Sequence, residues 1–383
     1  MSTTLPISTV VSVSIAAPQP GFVSPNVNNI AICTTETPVT PGNLTTNFGI
    51  YSTAAQVATD WGTTSEAYLQ AVALFNQKPN LLAGGGQLVV YHMTGAITTI
   101  SQAVADIEKL VYVGSYLVAG YSPLAAEYAA AAVAVTALGK MLGVASYLTT
   151  DVQAGGMAVT VNPSIQSGAI CLLYTQGGSM ATARIALAAG FGSQIATNFS
   201  GQNTTINQNL KTLQGIAGDT GITTTVLGYC QTYGWSCYGL IQGVPAWIEN
   251  GGVNNVFWDN IYNQLWFTNA LATAYANVLK TTSTKISQTE RGMTMLKNAI
   301  IAVCQQAVLN GYVAPGQWNA TDTFGDQVSF MRNIAQNGFY VWSSPVSGQW
   351  QAFRVTRAAP LIQLAVKLAG AINTGTIVGF VNP

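Results

Sequence analysis

Near the start of the chain, Ile7, Thr9, Val11, Val13 and Ile15 fall on one face of an extended strand, with Ser8, Ser12 and Ser14 on the other. The pattern stops at Ala16-Ala17-Pro18-Gln19-Pro20-Gly21, where proline removes ladder donors and glycine permits a turn. A second β-rich run, Thr376-Ile377-Val378-Gly379-Phe380-Val381, closes the sequence. Neither run has a partner strand nearby in sequence. A terminal strand with no local partner must dock elsewhere, which points to a subunit of an assembly.

Between these ends the pattern is α/β. Strands are expected at Ile30-Ala31-Ile32-Cys33, at Ile50-Tyr51 leading into a helix, at Leu88-Val89-Val90-Tyr91, at residues 169–174 and at residues 223–229. Thr53 and Gln56 are spaced as a capping box, as are Thr63 and Glu66 ahead of Tyr68, Val72 and Phe75. Ser287 and Glu290 repeat that spacing ahead of Met293, Leu296, Ile300, Val303 and Leu309, in a helix that stops at Gly311. Further helices are expected over residues 181–189 and 259–279. Leu361, Leu364, Leu368 and Ile372 recur at helical spacing after Pro360, which predicts a short amphipathic helix near the end. The Ala- and Gly-rich stretch 93–159 gives no clear element, and no short tandem repeat is present.

Composition sharpens the assembly reading. The 383 residues are 49% hydrophobic and only 7% charged, against about 25% charged in ordinary domains. So little charge suits a surface hidden against copies of itself. A membrane span would also explain it. The best candidate, residues 125–148, is interrupted by Glu127 and Lys140, short of the roughly 20 apolar residues a bilayer needs; it is read as a buried or interfacial helix. No Lys or Arg precedes Lys78, so a secretory signal is not expected despite Ala16-Ala17.

Formal neutrality hides an asymmetry. Residues 1–279 hold five basic and ten acidic groups, residues 280–383 eight and three, and from Gln327 onward there are four basic side chains and no carboxylate. The C-terminal third therefore suits an acidic partner surface. Nucleic acid does not fit, because the cations are too dispersed for phosphate binding.

Catalytic and cofactor signals are weak. His92 is the single histidine and reads as a packed side chain. Cys33, Cys171, Cys230, Cys237 and Cys304 have no zinc-knuckle spacing and read as reduced, buried thiols in a cytosolic setting. Gly84-Gly85-Gly86 lacks the Lys-Ser or Lys-Thr of a phosphate loop. Asp106 and Glu108 read as the solvated face of a helix ending in Glu108-Lys109. Trp235, Tyr238, Trp247, Trp258 and Trp266 could bind a sugar, but core and interface packing is the simpler reading. No catalytic residue, metal site or cofactor is expected.

Several segments resemble the contractile-tail sheath proteins of bacteriophages, in the compact sheath group catalogued as a domain of unknown function. They begin with Tyr51-Ser52-Thr53-Ala54-Ala55-Gln56-Val57-Ala58-Thr59-Asp60-Trp61-Gly62-Thr63, continue through Phe75-Asn76-Gln77-Lys78-Pro79 and Asn198-Phe199-Ser200-Gly201-Gln202-Asn203-Thr204-Thr205, and include Glu249-Asn250-Gly251-Gly252. Lys285-Ile286-Ser287-Gln288-Thr289-Glu290-Arg291-Gly292 and Asn310-Gly311-Tyr312-Val313-Ala314-Pro315-Gly316-Gln317-Trp318 are the most specific, and Arg357-Ala358-Ala359-Pro360-Leu361-Ile362-Gln363-Leu364 lies near the end. Residues 93–165 carry no such match.

The resemblance implies an α/β (mixed α+β) sheath core with mixed sheets flanked by helices, a second outer α/β domain and extended terminal β-arms. It places an N-terminal arm at 1–20, the inner core at 21–95 and 285–372, an outer domain at 96–284, and a C-terminal arm at 373–383. Such subunits form a helical homo-oligomer of stacked hexameric rings around a tail tube, between baseplate and tail terminator proteins, in a virion assembled in the host bacterial cytoplasm. Neither nucleic-acid binding nor membrane insertion is implied. Ile7, Val11, Val13 and Ile15, with Ile377, Val378, Phe380 and Val381, then correspond to arm strands donated to neighbours, and Pro18, Pro20, Gly21 and Gly375 to arm hinges. The C-terminal helix region faces the tube in that family, so Arg354, Arg357 and Lys367 become candidate tube contacts. A surface array, another injection-apparatus sheath and a carbohydrate-binding protein are the alternatives.

Overall fold

A computed structural model describes residues 20–162, 168–250 and 257–375. The first two thirds alternate strand and helix: β1 (Ile30–Thr34), β2 (Phe48–Tyr51), α1 (Ala54–Trp61), α2 (Glu66–Phe75), β3 (Leu88–His92), α3 (Ile100–Leu110), β4 (Ser115–Ala119), α4 (Ala125–Ala137), β5 (Met141–Ser146), α5 (Met157–Thr160), β6 (Ala169–Leu173), α6 (Met180–Gln194), α7 (Thr224–Tyr233), β7 (Ser236–Ile241) and β8 (Val244–Ile248). The strands form one eight-stranded sheet in the order β2-β3-β1-β4-β5-β6-β7-β8. Neighbours from β3 to β7 run parallel, and β2 and β8 are antiparallel edges.

Both faces of this sheet are covered, which is why β1, β4, β5 and β6 read as unbroken apolar runs. Ile30 and Ile32 point to the layer holding α1, α2 and α6, while Ala31 and Cys33 point to the layer holding α3, α4 and α7. The boundary expected at 95/96 falls inside this sheet, because β1 pairs with β3 on one side and β4 on the other.

Residues 257–375 build a helix-rich lobe: α8 (Trp258–Thr281), α9 (Glu290–Leu309), α10 (Gln327–Asn337), β9 (Phe339–Ser343), α11 (Gln351–Val355) and β10 (Ile362–Val366). α8 ties it to the sheet. Its first half buries Trp258, Tyr262 and Leu265 against the large core, and Phe267 packs with Ile300, Cys304 and Tyr312 in the lobe's own core.

The α2–α6 contact is close enough to depend on one glycine. A Cβ on Gly192 would sit 2.5 Å from the Leu74 carbonyl oxygen, which is backbone and cannot rotate away. Gly192→Ala is expected to cost about 1–3 kcal/mol. Gly228, inside α7 with nothing within 4 Å of its would-be Cβ, is the control: Gly228→Ala should stabilise by about 0.5–1 kcal/mol. Urea unfolding of both variants checks the opposite signs.

Several expected elements are corrected. The C-terminal helix over 361–372 is instead the strand β10, antiparallel to β9 with Leu364 opposite Val341. Residues 223–229 are not a strand; Thr223 caps α7 by accepting from the Val226 N–H. Residues 125–148 are not one helix but α4, a turn and β5. The Thr53–Gln56 capping box is present. α2 is capped by Ser65 rather than Thr63, and α9 by Thr289 rather than Ser287, two residues inward in each case. Asp106 and Glu108 are not a solvated face: Asp106 accepts from Tyr91 Oη at 2.6 Å, and Glu108 pairs with Lys140 and Tyr116.

Candidate assembly surface

The arm-strand positions Ile7, Val11, Val13 and Ile15, the hinge Pro18, and Ile377, Val378, Phe380 and Val381 lie outside the described residues. The roots of both arms are described. At the N-terminal root, Phe22 N–H donates to Asn277 Oδ1 (2.5 Å), Asn277 Nδ2 donates to the Phe22 carbonyl (3.0 Å), and Lys280 Nζ lies 4.1 Å over the Phe22 ring. Pro20 and Gly21 are exposed just before this clasp. At the C-terminal root, Asn209 Nδ2 donates to the Asn373 carbonyl (3.2 Å), and Gly370 and Ala371 close over Asp259 and Asn263; Gly375 is exposed beyond it. The two roots sit toward opposite ends of α8, about 25 Å apart at 1.5 Å per residue.

Between the roots lies the β9–β10 pair. Its inner face packs Phe339, Val341, Leu364 and Val366 on α8 and α9. Its other face packs Tyr340 and Ala365 beneath Phe330 and Ile334 of α10, joined by Trp318, Phe324 and Trp342. Among the described residues, no further strand pairs with either β9 or β10 over 362–366. Past β10, Lys367 N–H reaches the Gly338 carbonyl (2.8 Å), and Ala314 N–H reaches the Lys367 carbonyl (3.0 Å). Beside β10 runs a groove of about 410 Å³ whose walls include Leu271, Tyr275, Ile300, Pro360, Ile362 and Leu364. Tyr275 and Asn277 lie two residues apart on α8, so the groove and the N-terminal root sit on different faces of that helix. By contrast, the outer edge of β8 is already covered, through Leu210 N–H to the Trp247 carbonyl (2.7 Å) and Trp247 N–H to the Lys211 carbonyl (2.9 Å).

The residues linking β9 to β10 form a knob around α11. Arg354 and Arg357 share it and are exposed. Arg357 closes the turn with φ of 58°, a left-handed conformation that costs a non-glycine residue about 1–2 kcal/mol. Lys367 is not part of this pair: it follows the far end of β10, about 17 Å away at 3.3 Å per residue, with its stem packed along Gly316. Sequence reasoning missed Trp350 and Phe353 on the same knob; the available signal was an aromatic i, i+3 pair with no periodic continuation.

The remaining chemistry-bearing groups are held internally. In open α/β sheets the carboxyl ends of strands at the topological switch, here β1 and β4, form the usual ligand crevice. That crevice is filled from within. Glu36 accepts from the Glu66 and Ala67 N–H groups (2.7 and 3.0 Å), and both Glu66 oxygens lie 3.1 Å from Arg184, which is buried. A cavity of about 630 Å³ at the opposite strand ends is walled by Lys140, whose Nζ pairs with Glu108 and lies 4.2 Å over Tyr112; burial pushes the Lys140 pKa down. His92 is half-buried edge-on to Trp61, 5.9 Å between centroids. Trp235, Tyr238, Trp247 and Trp258 are buried and Trp266 stacks on Phe199, so these aromatics serve packing. All five cysteines are free and buried. No group of three or more His, Cys, Asp or Glu among the described residues could hold a metal ion, and no described helix is long and apolar enough to cross a membrane.

Glu249 gives the C-terminal root a pH dependence. Its Oε1 accepts from the Trp258 N–H at the start of α8 (2.8 Å), and burial pushes its pKa from 4.5 up to about 7. Asp259 beside it is pushed the same way by burial. Because the folded state favours neutral Glu249, its contribution is complete below pH 4.5 and is lost as the pH rises to about 7. Glu249→Gln should therefore match the wild type near pH 4 and exceed its stability by about 2–3 kcal/mol at pH 8. Urea unfolding across that range checks it.

Comparisons with known proteins bear on the helix-rich lobe and on the fold. Residues 258–379 match the family described as "E217 tail sheath protein gp31-like, C-terminal domain". No curated protein matches the sequence. Among solved structures, a chain of the anti-feeding prophage baseplate is 13% identical, with all of both chains covered and a TM-score of 0.62. The sheath tail protein from Desulfitobacterium hafniense is 10% identical, with 93% of this chain and 100% of that one covered and a TM-score of 0.55. At those identities the likeness is one of fold. The family match covers the helix-rich lobe, and the likeness of the whole chain is to the fold of these two proteins.

Proposed function

We propose that this chain is the polymerising subunit of a contractile tail sheath. It stacks as hexameric rings around a tail tube and shortens to drive the tube through a host envelope, as part of a virion assembled in the bacterial cytoplasm. The observation that carries this reading is the two-stranded β9–β10 sheet, which has no further strand over 362–366 among the described residues and lies beside an apolar groove. Helices cover both faces of this pair, and an unpaired strand edge is what accepts a strand added from outside. The alternating run around Ile7–Ile15 and the β-rich run Ile377–Val381 supply such strands, with Pro18, Pro20, Gly21 and Gly375 as joints.

Contraction then moves folded bodies between two packings while the arms tether them. The extended state is a kinetic trap that stores the energy at assembly, so the work of contraction requires no nucleotide and the subunit requires no catalytic site. Baseplate and tail terminator proteins bound the sleeve at its two ends. Arg354, Arg357 and Lys367 remain the proposed tube-facing cations. A non-phage injection apparatus is the second reading, favoured by the likeness to the anti-feeding prophage baseplate chain. The chain expressed alone should form long hollow sleeves in negative-stain electron micrographs; stable monomers at micromolar concentration would contradict the sheath reading.

A further inference from the structure

A polar cavity of about 100 Å³ lies at the C-terminal root, where four segments distant in sequence meet. Its walls come from Thr205 to Asn207, from the first turns of α8, from Gly311 and Tyr312, and from Gly370 and Ala371. Asp259 and Asn263 are one helical turn apart, so both face it from the same side of α8. Asn263 is only 3% exposed, and its Oδ1 has no hydrogen-bond partner in the protein. Asp259 is 9% exposed. No Lys, Arg or His forms part of the wall. An amide oxygen buried without a donor is costly, and it is retained where something from outside the chain meets it.

The surrounding bonds decide the sign of what fits. Asp259 Oδ1 accepts from the Asn260 N–H (2.9 Å), and the Asn207 side chain hydrogen-bonds Asp259 as well as Glu249 Oε2 (3.4 Å). Glu249 Oε1 holds the Trp258 N–H. Two carboxylates at this end of α8 are thus met by neutral donors, and neither forms an ion pair among the described residues. Together they outweigh the partial positive charge of the helix start, so the cavity favours a cation. Its donor atoms are oxygens from a carboxylate, an amide and the backbone, which is the set a hard cation takes. With a single carboxylate in the wall it does not suit a transition metal. Calcium accepts amide and carbonyl oxygens in irregular geometry, whereas magnesium demands a near-ideal octahedron and dehydrates reluctantly.

We propose that this cavity binds a divalent cation of calcium's size, held by the Asp259 carboxylate, Asn263 Oδ1 and backbone carbonyls of the surrounding segments, with water completing the shell. The ion ties Gly370 and Ala371 to α8 and to the Thr205–Asn207 segment, beside the Asn209 to Asn373 hydrogen bond (3.2 Å). It therefore fixes the point at which the C-terminal residues leave the body. A single wall carboxylate makes a weak site, in the range of about 0.1–1 mM. The inference goes beyond the sheath reading and does not need it: its test reads ion binding and melting rather than sleeves, so the two fail separately.

The test uses the full chain, stripped with a chelator and titrated with Ca²⁺ alone, Mg²⁺ alone and Tb³⁺ alone. Tb³⁺ stands in for Ca²⁺ and is read by its emission when excited through Tyr312 in the cavity wall; melting temperature is followed in parallel. Wild type is compared with Asp259→Asn, Asn263→Leu and, as a control, Asp322→Asn, which removes an exposed carboxylate of the same lobe. Wild type and the control are expected to bind one ion that Ca²⁺ displaces, and to melt higher in about 1–10 mM Ca²⁺ than in the same Mg²⁺. Asp259→Asn and Asn263→Leu should lose about tenfold or more in Ca²⁺ affinity, and their melting temperatures should no longer respond to it. Asn263→Leu leaves the charge unchanged, so its loss separates ligation from general attraction. A wild-type chain without Tb³⁺ emission or a Ca²⁺ response would overturn the proposal and leave the cavity to water. Both cavity variants binding Ca²⁺ as wild type does would overturn it by placing the ion elsewhere. Should one variant fail to fold, wild-type binding and the other variant still decide.

Discussion

Removing residues 1–17 is expected to leave a folded subunit that no longer forms sleeves. Among the described residues the first anchoring contacts are those of Phe22, with its two hydrogen bonds to Asn277 and the Lys280 cation over its ring, so the truncation removes no described element. What it removes is the strand proposed for the open edge beside the groove. An added strand of this length makes about five backbone hydrogen bonds at about 1 kcal/mol each, and buried Ile7, Val11, Val13 and Ile15 side chains contribute further at about 1.5–3 kcal/mol apiece. Part of that gain is offset by ordering the arm, but a net loss of even about 4 kcal/mol per contact weakens association roughly a thousandfold. Sedimentation velocity should show the truncated chain as a monomer with the melting temperature of its unassembled parent. Sleeves that persist would mean the arms do not hold the subunits together.

The second large effect lies inside the subunit. Arg184→Met should destabilise the fold by about 2–4 kcal/mol, because it leaves the partly buried Glu66 without its cation. Glu66 would retain the Gly120 N–H (3.0 Å) and Gln70 Nε2 (3.0 Å), and these neutral donors replace only part of the charge-assisted pairing. The pair Arg184→Met with Glu66→Gln should recover much of the loss, since neither charge is then stranded. Urea titrations of the two single variants and the double variant measure the coupling. Equal destabilisation by the single and double variants would show that packing at this crevice, rather than charge pairing, holds α2 to α6.

The sequence is most readable where one periodicity acts alone. β1, β3 and β6 are buried on both faces and show it as continuous apolar runs, and the Thr53–Gln56 box sits where its spacing places it. It is least readable where two periodicities coincide. Leu361, Leu364 and Leu368 fit a helix, but Ile362, Leu364 and Val366 fit a strand, and pairing with β9 decides between them. Thr223 to Thr225 looks like a β-rich start, yet a threonine can equally cap a helix. Residues 125–148 read as one helix until the turn at Gly139, with φ of 66°, splits them.

The candidate site divides in the same way. The acid-free stretch from Gln327 onward can be read from residue types. That Lys367 stands apart from Arg354 and Arg357, and that Trp350 and Phe353 face outward, depend on three-dimensional placement, which no spacing rule encodes.

The central claim is that strands from neighbouring subunits complete the β9–β10 sheet. A helical reconstruction of the sleeve formed by the full chain tests it directly. The account predicts a sheet extended beyond two strands, with density for residues from the N-terminal run lying along β10 and above Leu271 and Tyr275. A sleeve resolved to side chains in which β9 and β10 keep bare edges, with the arms elsewhere, would contradict it.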